Sequence, residues 1–319
     1  MQNPLISILI PVFNAEKTIE RCLKSCINQT YLNIEIIVIN DASTDDSENI
    51  IQNFNDSRII SLGNNTNLGI ANTRNLLLKK AKGNYIAWID ADDFMAMKRI
   101  ETQIGFLIKN PSVDICGSYI YLVDGFKTTK AKTFIKPEEI KSVLWFKNCM
   151  FQPSIMAKNF FVEENIFYNS DFDYVEDFEL WSRLRTAKKF ANLPLYLTYY
   201  QNPENIGEKH KNYDFKLKLK AIIKEKFQTL NIKDSTETQS WIKLIYDNLT
   251  LDSQDLLVLK NLFTQIADNN TDPFFKTMLA YLKLRVFFKI KNKDKIRNLN
   301  LFFFSLQPLV FIRFLFKRF

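Results

Sequence analysis

Apolar residues recur in two alternating rhythms over the first third of the chain. Ile6-Ser-Ile-Leu-Ile10 is a short apolar run that ends at Pro11, and Ile34-Glu-Ile-Ile-Val-Ile39 is a second, rich in β-branched residues, that ends at Asn40-Asp41. Between them Ile19, Cys22, Leu23, Cys26 and Ile27 fall on one face of a helix. Ser43 with Asp46 has the spacing of a capping box and predicts a helix through Phe54. Ile59 to Leu62 reads as a third strand, Ile70 to Ala81 as a helix, and Gly83-Asn84 as the turn before a strand from Tyr85. This alternation predicts an α/β fold, a parallel sheet with helices on both faces. Ligands of such sheets bind beyond the carboxyl ends of the strands. Three of those ends carry polar or acidic groups: Pro11-Val-Phe-Asn14, Asn40-Asp41 and Asp90-Ala-Asp-Asp93.

Further on the rhythm loosens. Strands are predicted at Asp114 to Val123, Ser154 to Ala157 and Leu193 to Tyr200. A helix is predicted at Pro137 to Lys147, with Pro in its first turn. Asp171 to Lys188 holds an acidic loop and then a helix that begins at Glu176. Beyond residue 205 the pattern is helical, with candidates at Leu217 to Leu230, Gln239 to Asn248, Ser253 to Ala267 and Pro273 to Ile290.

Composition narrows the class. With 319 residues, 46% hydrophobic and 24% charged, the chain is an ordinary globular one of one large or two small domains. Cys22 and Cys26 lie among the apolar positions of a helix and read as core thiols. A single histidine, His210, argues against zinc. The absence of a cysteine framework and of a leader-like start predicts a cytoplasmic setting. The net charge of +8 sits in the last 39 residues, which carry ten Lys or Arg and one acid, Asp294. A basic-partner argument therefore belongs to that tail alone.

The chemistry concentrates in Tyr85-Ile-Ala-Trp-Ile-Asp-Ala-Asp-Asp-Phe94, an apolar strand that stops on three carboxylates. Crowded carboxylates repel one another unless a hard divalent cation lies between them, and Mg²⁺-type ions are commonly held by one or two carboxylates plus substrate phosphates. A solvated acidic turn is the plainer reading of the same residues.

Six blocks taken in order tip the balance. They are Ile8-Leu-Ile-Pro-Val-Phe-Asn14, Ser25-Cys-Ile-Asn-Gln-Thr-Tyr31, Glu35-Ile-Ile-Val-Ile-Asn-Asp-Ala-Ser-Thr-Asp45, Asn67-Leu-Gly-Ile-Ala-Asn-Thr-Arg-Asn75, Ile89-Asp-Ala-Asp-Asp93 and Glu176-Asp-Phe-Glu-Leu-Trp181. Together they resemble the family 2 glycosyltransferases, inverting and nucleotide-sugar-dependent enzymes of the GT-A fold. The resemblance covers residues 5 to about 200 and is strongest before residue 110. It implies a GT-A-like Rossmann-type sheet followed by a C-terminal helical extension. Residues 1–115 would form the nucleotide-sugar half, 116–205 the acceptor half and 206–319 the helical region.

The resemblance also assigns roles. Pro11, Val12, Phe13 and Asn14, with Glu16, would line the donor nucleotide, and Asp41 would accept a hydrogen bond from the uracil imide. Asn67 and Gly69 would lie close to the donor, with Gly69 allowing near approach of the backbone. Arg74 would sit near the phosphates, or simply on a solvated helix face. Asp90, with Ala91, would hold the ribose or help bind the metal, and Asp92 would ligate Mn²⁺ or Mg²⁺. Asp93 would share in that binding or orient Asp92. Asp177 would be the general base, with Glu176 the alternative, although acids also suit a helix start. Trp181 would pack under an acceptor sugar or in the core. The chain departs from the family at Asn40, where Asp is usual, and at Gln152, where His is frequent. Gln201-Asn202-Pro203 stands where an Arg and a basic loop are frequent, with Lys209 and His210 further on. The phosphate clamp is therefore unassigned.

In the tail, Phe302-Phe-Phe304 and the aromatic run from Leu309 to Phe319 are interrupted by Pro308, Arg313, Lys317 and Arg318. Neither run reaches the ~20 apolar residues of a spanning helix. Such a sequence suits a helix in the membrane interface, aided by the basic cluster from Lys283 to Arg297, or a helix docked on the body. It is not read as a nucleic-acid arm. The expectation is thus an inverting, metal-dependent glycosyltransferase, peripheral to the inner face of the cell membrane. It would pass a sugar, from a UDP-sugar by preference, to a glycan or lipid-linked glycan in bacterial polysaccharide or lipooligosaccharide assembly. A silent membrane-docked scaffold and a nucleotidyltransferase are the alternatives. The first is opposed by the joint presence of Asp90, Asp92 and Asp177. The second is opposed by the lack of glycines in Pro11-Val-Phe-Asn-Ala-Glu-Lys17.

Overall fold

The computed structural model describes residues 3–201, 213–229, 240–241, 253–268 and 279. The chain divides into two compact units, one of Met1–Leu144 with Asn148–Ile206 and one of Trp145–Lys147 with Gly207–Phe319.

In the first unit β1 (Ile6–Val12), β2 (Ile34–Asn40), β3 (Ile59–Gly63) and β4 (Tyr85–Trp88) are separated by α1 (Ile19–Ile27), α2 (Ser47–Gln52) and α3 (Ile70–Lys80). They pair in parallel in the order β3-β2-β1-β4. Every residue of β1 and β2 is buried, as expected of strands covered on both faces. Ile6, Ile8, Ile10, Ile36 and Val38 share one core with the apolar face of α1. The alternate residues Leu9, Ile37 and Ile39 point to the other face, where α3 crosses β1 and β2. The core-thiol reading of Cys22 and Cys26 holds, since both are fully buried, and Cys116 and Cys149 are buried as well.

The capping box does not form. Ser43 Oγ instead accepts from Asn14 N, the N-cap residue Asp46 makes no side-chain cap, and α2 stops at Gln52, before Phe54. Two loops compete for the same serine, and the tertiary contact takes it.

The rest of the sheet is mixed. It contains β5 (Phe94–Met95), β6 (Ile115–Asp124), β7 (Lys127–Ala131), β8 (Met156–Lys158) and β9 (Phe190–Gln201). The order continues β4-β8-β6-β9-β5, with β8 antiparallel to both β4 and β6 and β9 parallel to β6. The β6 edge beyond β8 is taken by β7 through a two-residue turn at Gly125-Phe126, with Gly125 at φ +54°. Neither β5 nor β7 is visible as apolar alternation: one has two residues, and the other is Lys-Thr-Thr-Lys-Ala at the surface. Strand β9 starts before Leu193, and Pro194 falls where its register with β6 shifts, a place in a sheet that tolerates proline. Helices α4 (Arg99–Lys109) and α6 (Glu176–Leu184) belong to this unit, as does α5 (Pro137–Phe146) except for its last two residues.

The second unit contains α7 (Tyr213–Thr229) and α8 (Ser253–Asp268). Its aromatic centre is Trp241, stacked on Phe146 and met edge-on by Trp145, Phe227 and Phe263. Most of the helices predicted at Gln239 to Asn248 and Pro273 to Ile290, the loop with Lys209 and His210, and the tail lie outside the described residues. Among the described residues no helix is long and apolar enough to cross a membrane.

Candidate active site

At the ends of β1 and β2 two loops are laced together. Asp41 N donates to Val12 O at 2.7 Å, and Thr44 N donates to Asn14 Oδ1 at 2.9 Å. Glu16 N donates to Asp45 Oδ2, and Glu16 Oε2 in turn accepts from Asp46 N. Asn14 and Ala42 both hold left-handed backbone, at φ +49° and +56°. For Ala42 this conformation costs ~1–2 kcal/mol, which the lacing sustains. Pro11 and Val12 are buried, so they offer only backbone, whereas Phe13 is half exposed.

Asp41 is buried and organises the loop ahead of α3. Its Oδ1 accepts from Asn64 Nδ2 at 2.7 Å and Leu68 N at 2.9 Å, and its Oδ2 accepts from Gly69 N at 3.0 Å. Asn67 Oδ1 also accepts from Gly69 N. The close approach that Gly69 allows is to Asp173: a Cβ there would lie 2.8 Å from Asp173 Oδ2, and φ is +83°. The acidic turn before α6 thus rests against the start of α3.

At the end of β4, Asp93 N donates to Asp90 O at 3.0 Å, closing a turn with Ala91 and Asp92 in its middle. Arg21 Nη2 holds Asp92 O at 3.0 Å and Gln201 Oε1 at 3.2 Å, with its guanidinium over the Phe94 ring. Asp93 is fully buried and accepts from Gln201 N at 2.7 Å, so it ties the turn to the end of β9. Its burial, then the neighbouring Asp92 and Asp90, raise its carboxyl well above the usual range.

Arg74 joins the two acidic clusters. It is buried, not on a solvated helix face. Its Nη2 pairs with Asp90 Oδ1 at 2.9 Å and its Nη1 with Glu176 Oε1. The rings of Trp88 and Tyr168 flank it at 5.9 and 5.6 Å. Burial alone would lower its pKa, but Asp90 and Glu176 outweigh that and raise it. Glu176 is buried as well, and burial pushes its carboxyl up to about 7 against the pull of Arg74. Asp177 is less enclosed. Its Oδ2 accepts from Asn148 Nδ2 at 2.8 Å, and burial raises its pKa while Arg74 opposes.

Trp181 is core, fully buried and edge-on to Tyr168 and Phe190. Gln152, where the family often has His, donates through Nε2 to Tyr168 Oη at 2.8 Å. Several site residues were not singled out in the sequence. Tyr200 projects from β9 on the side opposite Tyr199, and the charges of Asp93, Asp90, Asp92 and Asp177 add to burial in raising its pKa. Asn148, Tyr168 and Arg21 lie in segments with no motif. Only the strand alternation at Tyr199-Tyr200 carried any signal.

Among the described residues no three His, Cys, Asp or Glu side chains form a metal cluster by themselves. The oxygen donors of Asp90 and Asp92 fit the other mode, in which a hard cation takes one or two carboxylates and completes its shell with phosphate and water.

Three comparisons bear on this geometry. A family model described as glycosyl transferase family 2 matches residues 7–167. The UDP-Glc:alpha-D-GlcNAc-diphosphoundecaprenol beta-1,3-glucosyltransferase WfaP of Escherichia coli is 38% identical over 200 residues, 62% of this chain and 77% of that one. The E. coli enzyme of the same description named WfgD is 33% identical, over 57% of this chain and 70% of its own. In fold the chain is similar to S. aureus TarS residues 1–349 in complex with UDP-GlcNAc, with TM-score 0.59, 18% identity and coverage of 92% and 88%. It is also similar to the mannosyltransferase PcManGT of Pyrobaculum calidifontis, solved with GDP-Man and Mn²⁺, with TM-score 0.55, 15% identity and coverage of 93% and 88%. The family model spans half of the chain, from β1 past the Asp-rich turn after β4, and the chain belongs to glycosyl transferase family 2.

Proposed function

We propose that this protein is an inverting glycosyltransferase that moves a sugar from a UDP-sugar to a hydroxyl of a lipid-linked glycan in bacterial surface polysaccharide assembly. The observation that carries the reading is the convergence of two carboxylate clusters from distant parts of the chain, Asp90 and Asp92 after β4 and Glu176 and Asp177 on α6. The descriptions of WfaP and WfgD, which name a UDP-Glc donor and a diphosphoundecaprenol-linked acceptor, support the substrate class.

On this reading Phe13 and the backbone around Asn14 line the base, and Asp41 holds the loop that faces it. Asp92 is the direct cation ligand, with Asp90 beside it. The cation, when bound, supplies charge neutralisation to the diphosphate leaving group. Asp177 is the base. Its carboxylate is the less enclosed of the pair, while Glu176 is committed to Arg74. Asp177 takes the proton of the acceptor hydroxyl as that oxygen attacks the anomeric carbon opposite the diphosphate, and a single displacement inverts the centre. Residues 1–115 serve the donor and 116–205 the acceptor. A lipid-linked acceptor places the work at a membrane surface.

The test is transfer from a panel of UDP-sugars to a diphosphoundecaprenol-linked sugar with Mn²⁺ or Mg²⁺. Chelation and Asp92→Ala are expected to abolish turnover. Asp177→Asn is expected to cut kcat by at least ~10²-fold with little change in donor KM. Nucleotide binding with no turnover on any acceptor would favour the silent scaffold instead.

A further inference from the structure

Glu176 and Arg74 are both buried between the two acidic clusters, and each is held by the other. Arg74 lies on α3, in the donor half, and Glu176 opens the helix that carries Asp177. Their ion pair is one of three contacts by which the same face of α3 grips the segment 168–176. One turn earlier, Gly69 makes room for Asp173, and Ala71 N reaches Asp173 Oδ1 at 3.4 Å. One residue on, Asn75 Nδ2 donates to Tyr168 O and Asn75 Oδ1 accepts from Tyr168 N, both at 2.8 Å. Arg74 extends the grip to β4 through Asp90, with Trp88 and Tyr168 flanking its guanidinium. Donor and acceptor halves thus meet through a fixed series of side chains on one helix.

We propose that Arg74, Asn75 and Glu176 are positioning residues that set the distance between the cation end of the site and the base Asp177. This rests on the glycosyltransferase reading above. An in-line displacement needs the leaving diphosphate and the attacking hydroxyl on opposite sides of one carbon. A base misplaced by ~1 Å can cost ~10²-fold in rate. Asp92 and Asp177 belong to different chain segments, so their separation is only as fixed as the contacts between those segments. Arg74 fits the task because a planar guanidinium binds two carboxylates in set directions, which the point charge of a lysine does not reproduce. The proposal gives Glu176 a structural partner in place of a proton-transfer role.

The test uses the full chain with Arg74→Lys, Arg74→Met, Asn75→Ala and Glu176→Gln. Amide exchange in residues 168–184 is expected to rise by ~10-fold in Arg74→Met and Asn75→Ala, because local opening there becomes easier. In transfer assays kcat is expected to fall by ~10²-fold with donor KM within ~3-fold, and Arg74→Lys is expected to recover only part of the loss. Unchanged exchange at 168–184 in every variant overturns the proposal. So does a loss confined to donor KM, which would make Arg74 a donor-binding residue. The exchange measurement needs no substrate, so it holds even if the wild-type chain turns over no UDP-sugar, an outcome that sinks only the functional reading.

Discussion

At the scale of single residues the site is governed by how deeply each carboxylate is enclosed. Glu176 and Asp177 are adjacent, yet one is buried against Arg74 and the other keeps a less enclosed carboxylate held by Asn148. Asp177 adds to the burial that raises the Glu176 carboxyl, so the acidic limb of a kcat profile belongs to the pair. Burial raises both carboxyls, so the limb is expected to lie above the ordinary aspartate value of ~3.9, with the rate falling as pH drops through it. The Asn148 hydrogen bond favours the charged form of Asp177, so Asn148→Ala is expected to move the limb to higher pH. A pH–rate series on the two proteins checks this, and a limb that stays put would remove Asn148 from the argument. The residue types of this cluster were readable in advance as acids at a strand end and a helix start. Arg74 was not, because an arginine between Thr73 and Asn75 looks the same whether its face meets solvent or two carboxylates.

At the scale of elements, the first four strands, α1 and α3 follow from the run of apolar positions, most plainly β1 and β2, which are buried along their whole length. What periodicity did not show was every element held by its partners. Strand β5 exists because Phe94 and Met95 pair with Tyr199 and Thr198, and β7 because a tight turn folds it back on β6. The loop at Gly69 is of the same kind, held by Asp41 on one side and Asp173 on the other. Gly69→Ala combines left-handed strain with a clash at Asp173, and a loss of ~1–3 kcal/mol is expected in urea unfolding. Adding Asp173→Ala is expected to return the clash component and leave the backbone strain. Purely additive losses would show that the two residues do not interact.

At the scale of the whole molecule, the proposed donor site spans the ends of four strands, so nucleotide and cation together are expected to stabilise what the chain brings together. UDP with Mn²⁺ at ~100 times its dissociation constant is expected to add ~2.7 kcal/mol to the first unit. For a unit of this size that is a rise of roughly 5–10 °C in Tm. Asp92→Ala is expected to lose the Mn²⁺-dependent share, and a shift that survives the substitution would move the cation elsewhere. The order of apolar runs, polar strand ends and acidic turns was enough to specify an α/β fold and the family, because both depend on spacing along the chain. Which acids pair with Arg74 and which stay more open could not be read that way. That was decided when α3 brought Arg74 against Asp90 and Glu176, 16 and 102 residues away along the chain, because burial and partnership are properties of the packed structure alone.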